Sequence, residues 1–183
     1  MNVFYLHDDP FTAAQQHCNK HVTKMILEYA QLLSTAHRVL DGHKYYDLTK
    51  NGRKIARWKL DCPKWEALLY KASHINHPSA VWTRQSKDNY YWVYDCFLGV
   101  LKEYEHRYKR FDTYESAKAL RSLLVAHPEN IPDVGFTQPP QCMPDQYKCD
   151  DAVEAYRNYY RGAKADFASW RNTKTPEWWY LTA

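Results

Sequence analysis

The sequence predicts an all-α fold, a mainly helical single domain over residues 1–183. Apolar residues recur at helical spacing over long stretches, only 5 of the 183 residues are glycine, and all prolines but Pro176 stand near the starts of those stretches or in one loop. Roughly 100–200 residues suit one domain with a proper core. There is no internal repeat or low-complexity tract, which argues against a disordered or fibrous chain.

Composition narrows the partners. The formal charge of +4, from 25 Lys+Arg against 21 Asp+Glu, leans toward an anionic partner. The 16 tyrosines and 7 tryptophans offer flat faces that stack on bases as well as fill a core. Five cysteines without C-x-x-C spacing read as reduced thiols rather than a disulfide framework or zinc ribbon. With no basic leader and no apolar run of membrane-spanning length, the expectation is a cytoplasmic protein with no membrane partner.

Val3 to Leu6 reads as a short amino-terminal strand or extended lead-in. Asp8 or Asp9 then caps a helix with Pro10 in its first turn, running toward Gly42 with a break near Ser34. Residues 43–62 read as a surface excursion ordered by contact with a partner. A short helix follows over Trp65 to Ser73, another from Pro78 through Trp82, and a long one from about Asp88 to Tyr108, where Trp92, Cys96, Val100 and Tyr104 keep helical spacing. Asp112 and Glu115 form a capping box for a helix to about Val125. Residues 127–147 are a long Pro-rich loop, and a last helix runs from a cap near Asp150 to about Trp170.

The first long helix holds the candidate chemistry. Cys18, Val22, Met25, Tyr29, Leu32 and Ala36 form an apolar stripe beside a polar one of His17, His21, Lys24, Glu28, Gln31, Thr35 and Arg38. Polar stripes usually face solvent. Here Met25, Ile26, Leu27, Tyr29, Ala30, Leu32 and Leu33 surround Glu28 and Gln31, so a carboxylate among them must line a cavity or meet a cation. An apolar setting raises a carboxyl pKa toward the range of a general acid or base, which makes Glu28 the leading catalytic residue, with Lys24 one turn earlier as partner. The competing reading is a structural Lys–Glu ion pair.

His17 and His21, four apart, have the spacing of two metal ligands, but the glutamate of an H-E-x-x-H motif is missing. They are read first as substrate- or phosphate-binding together with Lys20, Gln31 and Arg38, and no metal or cofactor is expected. Asn76-His77-Pro78 followed by Trp82 and Arg84 is a second phosphate-binding cluster, set against a plain turn with a core tryptophan. A third is Tyr156 to Lys164, where Arg157, Tyr160 and Lys164 interleave aromatic and basic character, although half of its tyrosines must face the core.

The run Lys20 to Leu33, the Asn76-His77-Pro78 turn with Trp82, and the Glu103…Arg107 helix end resemble the pyrimidine-dimer DNA glycosylase/endonuclease V-like family. The Pro139-Pro140 loop, the Tyr156–Lys164 helix and a Trp/Tyr-rich tail follow in matching order, so the resemblance spans most of the chain, as a distant phage-type relative. It implies a helical domain that binds damaged duplex DNA. A primary amine attacks the deoxyribose C1′ to form a Schiff base, and a helix glutamate assists. That glutamate falls at Glu28, with phosphate or positioning roles at Lys24 and His77. The family's best-known member uses the amine of a processed amino-terminal threonine, whereas Asn2 here is too large for routine methionine removal, so the amine is that of Met1. An α-amine, ordinarily with a pKa of about 7.7–8.0, keeps a usable neutral fraction at physiological pH. A desolvated Lys20 or Lys24 is the substitute nucleophile.

Three functions follow as expectations. The first is a DNA glycosylase/AP lyase acting on damaged or modified pyrimidines, with Met1 as nucleophile and Glu28 as acid/base. The second is a nucleotide- or base-modifying enzyme of viral type, metal-assisted through His17 and His21. The third is a non-catalytic protein that holds nucleic acid or another protein on its basic aromatic surface.

Overall fold

A computed structural model describes residues 1–111 and 114–181. Among them the chain is mainly helical: α1 (Pro10–Gln16), α2 (Asn19–Asp41), α3 (Pro63–Leu68), α4 (Pro78–Thr83), α5 (Lys87–Tyr108), α6 (Glu115–Leu124) and α7 (Ala152–Ala163) surround one two-stranded antiparallel sheet of β1 (His43–Leu48) and β2 (Lys54–Lys59). Short 3-10 turns cover Asp145–Tyr147 and Glu177–Tyr180. No helix of the described residues is long and apolar enough to cross a membrane.

α5 is the central post. Its inward positions Tyr90, Val93, Phe97, Val100 and Tyr104 are buried, and α1 and α2 pack along it. The contact with α1 is tight: a Cβ at Gly99 would stand 2.5 Å from the Ala14 Cβ, so only glycine admits this approach.

Of the two readings of the amino terminus, a short strand or an extended lead-in, the structure shows the second. Residues 1–6 pair with no strand; they run extended through the interior, with Val3, Phe4, Tyr5 and Leu6 all buried. Side chains satisfy their main chain instead. The Tyr29 hydroxyl donates to the Val3 carbonyl (2.5 Å), Arg157 Nε to the Leu6 carbonyl (3.2 Å) and Trp92 Nε1 to the Asp8 carbonyl (2.7 Å). Phe4 takes a left-handed conformation (φ 45°), which costs ~1–2 kcal/mol for a residue with a Cβ. Its ring stacks on His21 at 4.1 Å and meets Tyr160 edge-on, contacts that offset the cost.

The first rod breaks at His17–Cys18, not near Ser34, where α2 is continuous. Asp9 caps α1 by accepting from the Thr12 N–H, and the turn ends seven residues later. The carbonyls released there are taken by distant donors: Arg107 reaches Gln15 and His17 at 2.8 Å each, and Trp170 Nε1 reaches Gln16 at 3.0 Å. Arg107 is fully buried and also pairs with Glu103 at 2.9 Å.

Arg38 does the same after α3. It donates to the carbonyls of Trp58, Glu66, Leu69 and Tyr70 and pairs with the Glu66 carboxylate at 2.6 Å. Capturing those carbonyls ends α3 at Leu68, short of the expected Ser73. Residues 43–62 form a hairpin paired with itself from His43↔Lys59 to Leu48↔Lys54, where a partner-ordered excursion was expected. The Pro-rich loop is irregular as expected and is held by Asn89, whose side chain exchanges hydrogen bonds with Thr137. α7 stops at Ala163 rather than near Trp170, with a closing turn on the Lys164 carbonyl. The Asp112 half of the expected capping box lies outside the described residues; α6 starts after Tyr114, whose φ is 63°.

Three buried histidines make the fold acid-sensitive. Burial lowers His17 and His37 to about 4 and His21 to about 2. The unfolded chain takes up protons at these groups below about pH 6.5 while the folded chain does not, so their stabilising contribution is lost as pH falls from there toward 4. Each group costs roughly 1.4 kcal/mol per pH unit over that window. The melting temperature is expected to drop steeply between pH 6.5 and 4.5, and a flat profile in a thermal melt series would contradict the burial of these rings. Arg107→Ala, which strands Glu103 and two carbonyls, is expected to cost about 3–5 kcal/mol in denaturant unfolding. Arg107→Lys is expected to recover less than half, because an ammonium cannot span the same acceptors.

Candidate functional site

The extended lead-in delivers the amino terminus to the middle of α2. Asn2 is buried and acts as the anchor: its Oδ1 accepts from the Val3 N–H (2.8 Å) and the Tyr156 hydroxyl (2.6 Å), and its Nδ2 donates to the Cys142 carbonyl (2.9 Å). Tyr156 belongs to α7 and Cys142 to the Pro-rich loop, so three distant segments meet at this one side chain. The Met1 side chain is 2% exposed although the residue as a whole is only half-buried. Its exposed part is therefore main chain, the portion that carries the amine.

That amine lies 3.8 Å from Glu28 Oε2, and Lys24 Nζ lies 3.3 Å from Glu28 Oε1. The first distance is an ionic contact too long for a hydrogen bond. Among the described residues Oε2 has no hydrogen-bond partner, although the atom is buried. A carboxylate oxygen thus faces a primary amine with a lone pair unspent, an uncommon arrangement given the cost of a bare buried acceptor. Glu28 is 16% exposed and Lys24 49%, so the group opens to solvent on the Lys24 side.

His77 completes the cluster. It caps α4, its Nδ1 accepting from the Ser79 N–H at 3.2 Å, which leaves the ring proton on Nε2. Burial holds its pKa below the usual imidazole value. The positive amino terminus and His74 lower it further, while Glu28 opposes them. These influences place His77 within electrostatic reach of both the amine and the carboxylate.

Several expected ligand residues are structural instead. His17 is fully buried, its Nδ1 donating to the Ala13 carbonyl (2.6 Å) and its Nε2 lying 2.9 Å from the Tyr29 hydroxyl. His21 is buried with Nδ1 2.5 Å from the Tyr160 hydroxyl. Neither ring faces a substrate. As a metal pair they have no third ligand, since no group of three or more His, Cys, Asp or Glu among the described residues is placed to hold an ion. Arg38 is spent on carbonyls, Trp82 is buried and donates to the Thr137 carbonyl, and Tyr160 is buried at the centre of the aromatic cluster. None of these can bind phosphate, because each polar atom already serves the fold.

The remaining candidates are dispersed. Lys20 lies over the Phe167 ring, Lys164 over Tyr159, and Arg157 pairs with Glu154 beside Trp178. Arg84 donates to the Ala80 carbonyl, and burial lowers its pKa. Gln31, half-buried, sits one turn beyond Glu28. The structure therefore gathers Met1, Lys24, Glu28 and His77 and leaves the others apart. Asn2 and His74 were not foreseen as parts of the site, and Tyr156 was placed in a separate aromatic–basic cluster; a polar residue between Met1 and an apolar run, and the spacing of His74 and His77, were the signals for the first two.

The larger cavities lie elsewhere, one of about 620 Å³ beside Tyr147, Arg161 and Trp179 and one of about 740 Å³ beside Tyr5, Trp92 and Phe136. The pairing of an amine with an unsatisfied carboxylate, rather than cavity size, distinguishes the Met1–Glu28 group. No protein-family model, curated protein or solved structure matches the chain.

Proposed function

We propose that the protein is a DNA base-excision enzyme of the glycosylase/AP-lyase type, acting on damaged or modified pyrimidines in a cytoplasmic setting. The observation that carries this reading is the 3.8 Å contact between the Met1 amine and the unsatisfied Glu28 Oε2. The resemblance of residues 20–33 to a family that pairs an amine with a helix glutamate supports the same assignment.

In the proposed reaction the neutral Met1 amine attacks the deoxyribose C1′. The new N–C1′ bond forms as the glycosidic electron pair leaves with the base, and Glu28 takes the proton that the amine gives up. Glu28 then returns a proton to the ring oxygen, the sugar opens, and the amine nitrogen holds C1′ as a protonated Schiff base. Glu28, again a carboxylate, takes a C2′ proton, and the C2′–H electron pair expels the 3′-phosphate by β-elimination. His77 Nε2–H and Lys24 are suited to the phosphates that flank the sugar, the first as a hydrogen-bond donor and the second as an exposed cation. Reaching C1′ requires the nucleotide to be distorted or turned out of the stack.

Untagged protein, with Met1 verified by intact mass, is expected to form a covalent adduct with an abasic-site duplex in the presence of borohydride. Acetylating the amino terminus is expected to abolish the adduct. Glu28→Gln is expected to slow adduct formation about 100-fold or more. Absence of any adduct on both abasic and UV-damaged duplexes would overturn the mechanism. Asn2→Ala is expected to lower the trapping rate about tenfold or more while leaving duplex affinity within twofold, because it misplaces the amine without touching a DNA contact. Equal losses in rate and affinity would instead make Asn2 a merely structural residue.

A further inference from the structure

The β1–β2 hairpin carries more positive charge than the whole chain. Lys44, Lys50, Arg53, Lys54, Arg57 and Lys59 against the single carboxylate of Asp47 give residues 43–59 a formal charge of +5, whereas the protein totals +4, so everything else sums to −1. Among the described residues none of the six cations takes part in an ion pair, in contrast to Arg38 and Arg107. Arg57 Nε is in addition buried without a hydrogen-bond partner.

The ribbon is exposed and ordered by its own pairing. All six residues of β1 are exposed, Tyr46 and Leu48 among them, and Gly52 at φ 71° turns the chain back. Alternation places Lys44, Tyr46, Lys54 and Trp58 on one face of the ribbon. Lys44 lies over the rings of Tyr46 and Trp58, and Lys54 over Tyr46 at 4.2 Å. These contacts hold the ammonium groups in a row without neutralising them. Lysine at a sheet edge also deters strand addition, but a mixture of signs serves that purpose equally, and here six cations stand against the one carboxylate of Asp47.

We propose that this hairpin is a duplex-DNA-gripping ribbon that lies along a groove and meets its phosphates. The choice of duplex DNA over other polyanions rests on the functional reading above; the charge segregation stands independently of it. A two-stranded ribbon is one of the shapes that a major groove about 12 Å wide admits. Thirteen residues of α2 separate Glu28 from Asp41, about 20 Å of helix, or roughly six base-pair steps. A hairpin rooted there reaches backbone that the Met1–Glu28 group does not.

The test compares wild type with the K44A/K50A/K54A variant on an undamaged 20-base-pair duplex, by anisotropy titration from 50 to 200 mM KCl. The variant is expected to lose at least tenfold in affinity, and its slope of log affinity against log salt is expected to fall by about 2–3, near 0.9 for each phosphate contact removed. Removing equal charge at Lys102, Lys148 and Lys174 is expected to leave the slope unchanged. Borohydride trapping at saturating abasic duplex is expected to stay at the wild-type level. An unchanged affinity and slope, an equal change in both triple variants, or loss confined to phosphatidylserine vesicles would each overturn the ribbon. If neither protein traps an adduct but K44A/K50A/K54A alone weakens duplex binding, the ribbon stands and the lyase mechanism falls.

Discussion

Six residues at the amino terminus pass through the interior without regular structure, and this sets the terms for the helices around them. Within the segment only the Leu6 N–H and the Phe4 carbonyl (2.8 Å) are seen to pair with each other, and each main-chain group left bare in the interior costs about 1–3 kcal/mol. Tyr29 from α2 and Arg157 from α7 therefore sit where an aliphatic side chain would fill the same volume, because each supplies a donor to one main-chain carbonyl of this segment, and Trp92 from α5 does so just beyond it at Asp8. Asn2 closes the scheme by joining its own neighbour's amide to α7 and the Pro-rich loop. The polar atoms in this core are dictated by the path of the lead-in.

The cations divide along the same physical line. Arg107 and Arg38 are each buried where a short helix ends and its carbonyls lose their intrahelical partners. Guanidinium suits that task, since its planar fork reaches several acceptors at once. Their charge is consumed by the fold. Lys24 and the hairpin lysines stand in solvent on flexible stems, one cluster beside Glu28 and the other beyond the end of the same helix. Such cations remain available to an anionic partner.

Local signals made much of the fold legible. α4, α5 and α7 are close to their expected starts because Pro78, the helical spacing from Trp92 to Tyr104 and the Asp150-Asp151 cap act within a few residues. The break in the first rod was misplaced because its cause is remote: the acceptors at Gln15, Gln16 and His17 are met by Arg107 and Trp170, some 90 and 154 positions away. The hairpin was hidden for a different reason. With β1 exposed throughout, no alternation of apolar and polar residues marks it as a strand. At the site, Glu28 stood out through the apolar residues around it, whereas the role of Met1 came from resemblance, and Asn2 becomes visible only once the chain is folded. His17, His21 and Arg38 have the same polar character as Glu28 in the sequence; only their occupied partners separate them from it.

Met1 unites fold and site through opposite ends of one residue. A chain terminus ordinarily frays and pays an ordering cost whenever it must act. Here the thioether arm is packed away and the neighbouring Asn2 is held by three partners, so the amine is held in place beside Glu28. Because the main-chain end points outward, residues added before Met1 could leave through solvent without disturbing the core, yet they would turn the amine into an amide. Structure and chemistry are separable at this position even though one network supports both. His17 lies beside that network, its Nε2 2.9 Å from the Tyr29 hydroxyl that donates to the Val3 carbonyl, and its buried ring resists protonation. Acid that forces a charge onto His17 acts on the same tether that presents the amine to Glu28, so loss of the amine's placement and loss of the fold share a common origin.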